Sequence, residues 1–299
     1  MPPPRDYAFA VEQRAFIDAT RSTPVNGDAP ASAVRTLPAT IWRPQGAGPF
    51  PLVLFVHGSS GFRRQSTWLT EALARDGYLV AAADFPLTAL ATPGGASDWD
   101  VQQQPLDLRF LADQLGAAAY AVVGHSTGGA VALLAAQAPD AHDPRLRAAV
   151  VLSGDSCFFG EAFFRTRAVP TLFISASRDL LVPPAGNGLR AFALTQPPRL
   201  HAMLLGGTHL FFTDLALPDD LGGPPAPTTP AAPLAQTLSR YGGGAACTPV
   251  APPAGDAPLA FEAQHLLAAR VTAAFLDEQF RGEAVSFEAL ADPRLVLAR

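Results

Sequence analysis

The sequence predicts an α/β domain built on a mostly parallel, doubly wound sheet with antiparallel strands at its N-terminal edge. Three observations carry that expectation. Uninterrupted apolar runs such as Leu52-Val53-Leu54-Phe55-Val56 suit strands buried on both faces. Segments with helical spacing separate them, so strand and helix alternate from about residue 50 to residue 205. The 299 residues, 48% hydrophobic and 16% charged, supply a large core. A chain of this class often folds as one unit past 250 residues, so a single domain over 1–299 is expected.

In chain order, residues 8–17 and 36–42 read as two strands joined by a turn-rich stretch around Pro24-Val25-Asn26-Gly27. Leu52–Val56 is the first buried strand. Residues 68–75 follow as a helix and 78–83 as the next buried strand. In the helix expected over 105–115, Leu108, Leu111, Ala112 and Leu115 share one face, leaving Asp107, Arg109 and Asp113 for solvent. A strand at 120–123, a helix at 128–138 and a strand at 148–152 come next, and strands at 171–176 and 200–205 complete the series. Residues 218–258 break the pattern with ten of the chain's 30 prolines, Gly222-Gly223 and Gly242-Gly243-Gly244. A stretch this long without periodicity is either a flap over a site or an inert surface loop. A helix from about 259 to 280, with Asp256 as its cap and Pro258 near its start, closes the chain.

The net charge of −5 and the lack of any basic run argue against nucleic-acid binding. All 21 cationic residues are Arg, which reads as a coding bias that also enriches Ala and Pro. No apolar stretch has the length of a membrane-spanning helix. The N-terminus lacks the apolar core of a signal peptide, which implies a cytoplasmic chain, or a secreted or periplasmic one if a leader has been trimmed. Cys157 and Cys247 cannot form a metal site at zinc-ligand spacing. Paired, they would tie the Pro/Gly-rich segment over the site and imply an oxidising compartment; two free thiols are the alternative.

Gly124-His125-Ser126-Thr127-Gly128 stands between a predicted strand and a predicted helix, the setting in which a Gly-x-Ser-x-Gly turn presents a nucleophilic serine. The turn is so tight that its serine adopts a strained backbone and side chains two residues away would clash. A serine hydroxyl needs a base to take its proton. Of six histidines, His209 in Gly206-Gly207-Thr208-His209 fits best, because it lies just beyond the last predicted strand. His265, His142 and His201 read as surface residues, and His125 as pointing away from its neighbour Ser126. The imidazole in turn needs a carboxylate. Asp179, after strand 171–176 and before Leu180-Leu181-Val182-Pro183, is favoured; Asp155, ending the preceding strand, is its rival. Asp84 reads as structural, and Asp214 as a turn cap.

A tetrahedral intermediate needs two fixed N–H donors for its oxyanion. The backbone of Thr127, at a helix N-terminus, is one candidate. The backbone of Ser59, in His57-Gly58-Ser59-Ser60-Gly61 after the first buried strand, is the other, with His57 holding that loop. Phe62, Trp99, Phe158, Phe159, Leu181 and Phe211 fall on loops expected to ring Ser126, as an apolar substrate wall or as core packing.

Four stretches carry a family resemblance: Phe55-Val56-His57-Gly58-Ser59-Ser60-Gly61, Gly77-Tyr78-Leu79-Val80-Ala81-Ala82-Ala83-Asp84, Gly124-His125-Ser126-Thr127-Gly128-Gly129 and Gly207-Thr208-His209-Leu210-Phe211-Phe212-Thr213-Asp214. Over residues 50–215 the chain resembles bacterial α/β-hydrolases of the dienelactone-hydrolase-like group, with platelet-activating-factor acetylhydrolases, chlorophyllases and cutinase-like polyester hydrolases. The resemblance implies the α/β-hydrolase fold, a carboxylic ester hydrolase, no cofactor, and often export. True dienelactone hydrolases use Cys where this chain has Ser126. Polyester hydrolases generally place an aromatic and a Met where this chain has Ser59 and Thr127.

The expected function is therefore a serine esterase acting on small to medium apolar esters through an acyl-enzyme. Its partners would be small-molecule esters, with no nucleic acid and no integral membrane segment. A lipase, a polyester hydrolase and an acyltransferase share the same residues, so they remain alternatives. A non-catalytic binding protein would be expected to have lost Ser, His or Asp.

Overall fold

The computed structural model describes residues 5–216, 232–242 and 256–299. Among the described residues, nine strands form one sheet. They are β1 (Phe9–Asp18), β2 (Arg35–Pro44), β3 (Leu52–Val56), β4 (Leu79–Ala83), β5 (Tyr120–His125), β6 (Leu146–Leu152), β7 (Thr171–Ala176), β8 (Arg199–Leu204) and β9 (Leu295–Ala298). Their spatial order is β1-β2-β4-β3-β5-β6-β7-β8-β9. Strands β3 to β8 run parallel; β1 and β2 pair antiparallel with each other, β2 pairs antiparallel with β4, and β9 with β8. The mostly parallel sheet with antiparallel N-terminal strands is the one expected; β9, a short apolar run near the terminus, was not anticipated.

Helices α1 (Thr67–Arg75), α2 (Gln104–Gln114), α3 (Thr127–Gln137), α4 (Gly188–Leu194), α5 (Ala232–Leu238) and α6 (Phe261–Arg281) cover both faces. The pleat of β3 shows why its sequence is apolar throughout. Leu52, Leu54 and Val56 enter one cluster with α2 and α3, while Val53 and Phe55 enter the other with α1 and α6. All eleven residues of α3 are buried, so this helix shows no polar face. Helix α4 was too short to detect by periodicity, and α6 starts at Phe261 rather than 259. Asp256 does not cap α6; its carboxylate accepts from the Ser177 hydroxyl.

Two expectations about polar residues fail for one reason, burial with a partner. Asp107, expected at the surface, is fully buried and receives a fork of hydrogen bonds from Arg35 Nε and Nη2 at 2.8 and 2.6 Å. Arg35 Nη1 reaches Asp100 at 2.9 Å, and Arg21 reaches Asp107 at 2.6 Å. The cluster pins β2 to the start of α2. His201, expected at the surface, is 3% exposed within β8, bonded to Ser175 Oγ at 3.1 Å, and burial lowers its pKa to about 4.

Part of the Pro/Gly-rich excursion is ordered into the core. Leu234 and Leu238 of α5 are 4% and 0% exposed, and Tyr241 packs on Phe159 and Phe163. The remainder of 218–258, Cys247 included, lies outside the described residues apart from 256–258. The choice between a Cys157–Cys247 disulfide and two free thiols falls there too.

Replacing Arg35 with Ala would leave buried Asp100 without its cation and Asp107 with Arg21 alone, and is expected to cost about 3–5 kcal/mol. A urea denaturation midpoint measures it. Arg35→Lys should recover only part of the loss, because an ammonium cannot form the fork.

Candidate active site

Strand order reverses between β3 and β5: β4 lies on one side of β3, β5 and the later strands on the other. Such a reversal opens a crevice at the carboxyl ends of the strands. The 57–61 loop leaves β3 at that point, and Ser126 leaves β5.

Ser126 has φ 56° and ψ −125°, a left-handed conformation that costs a non-glycine residue about 1–3 kcal/mol. Four backbone bonds hold it: its N–H donates to Leu152 O at 3.0 Å, and its carbonyl accepts from Gly129 at 2.8 Å, Asp155 at 3.2 Å and Ala130 at 3.4 Å. The flanking glycines are steric requirements. A Cβ on Gly124 would lie 1.9 Å from Gly128 O, and one on Gly128 would lie 2.2 Å from Val56 O. Gly58 also faces the serine, since a Cβ there would lie 3.1 Å from Ser126 Cβ.

The 57–61 loop is tied down on three sides. Gly61 N–H closes the turn onto Gly58 O at 3.0 Å, Ser60 N–H reaches Thr88 O at 2.9 Å, and Gly58 N–H reaches Gln65 Oε1 at 3.2 Å. His57 is buried; its Nδ1 donates to Gly58 O at 2.7 Å, and its pKa is lowered by burial. It holds the loop, as expected. Among the described residues, the backbone N–H groups of Ser59 and Thr127 have no intramolecular acceptor.

His209 and Asp179 meet: Nδ1 to Oδ2 is 2.8 Å, with the two residues 3% and 0% exposed. The other oxygen of Asp179 accepts from the N–H groups of Leu181 at 3.0 Å and Val182 at 2.6 Å. The carboxylate is thereby satisfied without a cation. Asp155, the rival acid, accepts from Thr127 Oγ1 at 3.2 Å. Loss of hydration pushes its pKa up to about 6, opposed by the charge of His209 and the Thr127 bond and reinforced by Asp98 and Asp179.

The remaining expected residues divide. Phe62 and Trp99 are 40% and 49% exposed, available to a substrate. Leu181 and Phe211 are half-buried, and Phe211 packs edge-on against Phe261. Phe158 is buried, and Phe159 is core packing, stacked on Phe163 at 4.1 Å with no exposed surface. His125 does not stand apart from the site: its ring lies 4.6 Å from that of His209, and burial, then His209, holds its pKa well below 6.5. His265 is half-buried, stacked on Trp68, while His142 is exposed. Asp84 pairs with Arg63, and Asp214 caps α1 by accepting from Thr67 N–H at 3.0 Å.

Two supporting residues escaped the sequence. Gln264 of α6 clamps the His209 loop, accepting from Thr208 N–H at 3.0 Å and donating to Thr208 O at 2.8 Å. Gln65 bridges Gly58 and His125, the latter at 3.1 Å. Lone glutamines inside or ahead of helices carry no local signal for such contacts.

Comparison with known proteins agrees with this architecture. A family model described as the alpha/beta hydrolase fold matches residues 51–168. Cutinase est1 of Thermobifida alba is 30% identical over 156 residues, which is 50% of this chain and 49% of that protein. The chain thus aligns with about half the length of that curated relative. A ferulic acid esterase from Streptomyces cinnamoneus superposes with a TM-score of 0.67 at 22% identity, covering 97% of this chain and 96% of that one. The fold is the α/β-hydrolase fold.

The turn's steric demand is directly testable. Gly128→Ala must push its methyl into two backbone carbonyls, of Val56 and His57, and is expected to cost more than about 3 kcal/mol or to prevent folding. Gly186→Ala, with open space around it, should change the melting temperature by no more than about 2 °C.

Proposed function

We propose that this chain, built on the α/β-hydrolase fold, is a carboxylic ester hydrolase in which Ser126, His209 and Asp179 act as a triad. The observation that carries the proposal is the buried Asp179–His209 pair, whose loops share the carboxyl edge of the sheet with the strained Ser126 turn. The names of the two similar proteins, a cutinase and a ferulic acid esterase, point to the same chemistry.

In this mechanism Ser126 Oγ attacks the ester carbonyl as His209 Nε2 takes its proton. Asp179 fixes the tautomer with the proton on Nδ1 and stabilises the imidazolium. The N–H groups of Ser59 and Thr127, left without internal acceptors, receive the carbonyl oxygen as it gains charge. His209 then protonates the departing alcohol, and water hydrolyses the acyl-enzyme by the same steps. No cofactor enters. The exposed rings of Phe62 and Trp99 favour apolar acyl or alcohol groups of small to medium size.

Ser126→Ala and His209→Ala should each lower kcat on p-nitrophenyl butyrate by about 10⁴-fold or more, with the double variant no worse than either, because the triad acts as a unit. Retained turnover in Ser126→Ala sinks the proposal. Asp155→Asn tests the electrostatics. Asp155 faces His209, Thr127, Asp98 and Asp179, and its negative charge favours the protonated imidazole. Removing that charge should shift the acid limb of the kcat/KM profile to lower pH by about half a unit.

A further inference from the structure

Ser59 and Thr127 have more in common than their N–H groups. Each carries a hydroxyl, and each hydroxyl donates to a carboxyl that the triad does not use: Ser59 Oγ to Asp98 Oδ2 at 3.2 Å, Thr127 Oγ1 to Asp155 Oδ2 at 3.2 Å. The two carboxyls come from separate parts of the chain. Asp98 precedes α2 and Asp155 follows β6, yet they act on each other electrostatically. Asp98 is 4% exposed, and its Oδ1 has no partner among the described residues. Among those residues, neither carboxyl forms an ion pair.

Placing two carboxyls without cations so close together destabilises a fold. Simple loop anchoring would be served by a backbone carbonyl or an amide. Their location supplies a reason. The Ser59 N–H is left free in a turn whose neighbours are committed, Ser60 to Thr88 and Gly61 to Gly58, and Gly58 has no side chain to fix the turn's facing. The peptide that bears this N–H is held through Gly58 O, and the bond to Asp98 adds a restraint from the Ser59 side chain. On the other side, Asp155 grips the nucleophile turn twice: its backbone N–H donates to Ser126 O, and its carboxyl holds the Thr127 hydroxyl.

We propose that Asp98 and Asp155 are positioning residues of the oxyanion hole, each orienting one N–H donor through the hydroxyl of the residue that bears it. This rests on the ester-hydrolase proposal for Ser126. Burial raises the pKa of both carboxyls.

Two double-mutant cycles on p-nitrophenyl butyrate hydrolysis by the full chain test it: Ser59→Ala with Asp98→Ala, and Thr127→Val with Asp155→Ala. Misaligning one donor without deleting it should lower kcat by about tenfold, less than the 10²–10³ of a deleted donor, with KM changed by no more than about twofold. Each double variant should match its singles, since both changes break one bond. Thr127→Ser keeps the hydroxyl and should hold kcat within about threefold of wild type. Losses that multiply in the doubles, losses confined to KM, or an unchanged kcat in the singles would overturn the proposal. If Asp98→Ala does not fold, Ser59→Ala decides alone, because its side chain is exposed and its kcat must still fall. Inactive wild type, or an active Ser126→Ala, would instead remove the ester-hydrolase assignment, so the two failures are distinguishable.

Discussion

The close approach of the first turn of α3 to the ends of β3 and β5 governs the carboxyl edge of the sheet. Gly128 sits where a methyl group would meet the carbonyls of Val56 and His57, and Gly129 where it would meet Gly154. That contact lets an all-buried helix rest on the sheet with its N-terminus level with the 57–61 loop. It also forces Ser126 into its left-handed conformation, projecting the side chain at the point where strand order reverses. The strain is offset by the burial of α3, whose eleven residues all face protein. Sheet topology, helix burial and the candidate nucleophile are consequences of one steric arrangement.

Much of this was legible in the sequence because the signals are local. Apolar five-residue runs mark strands covered on both faces, and the glycines around Ser126 mark a turn that side chains would block. The parts that were not legible depend on distant partners. Asp107 looked solvent-facing because its helical spacing says nothing of Arg35, which enters from a strand 72 residues earlier. His201 fell on an alternating strand whose polar position turned out to face Ser175. Gln264 and Gln65 matter for what they touch, and a lone glutamine announces none of that. Choosing between Asp179 and Asp155 was of the same kind. Both end parallel strands, and only the fold shows that the former reaches His209 while the latter reaches Thr127.

Those two aspartates sit in different hydrogen-bond environments. Asp179 receives two backbone N–H groups and an imidazole N–H. Asp155 receives one side-chain hydroxyl, and loss of hydration pushes its pKa up to about 6.

The Pro/Gly-rich excursion joins the same network from outside. Its described part is rooted in the core through Leu238 and through Tyr241 on the Phe159–Phe163 stack, with Gly160 and Gly242 in close contact. From that anchorage the Thr237 hydroxyl donates to Trp99 O at 3.4 Å. Trp99 adjoins Asp98, so the segment braces the loop whose carboxyl holds Ser59. A flap free to swing as a whole would need to release Leu238 from full burial, at a cost of about 1.5–3 kcal/mol for that side chain alone. Residues 232–242 are thus anchored on the core and braced against the loop that carries Asp98 and Trp99.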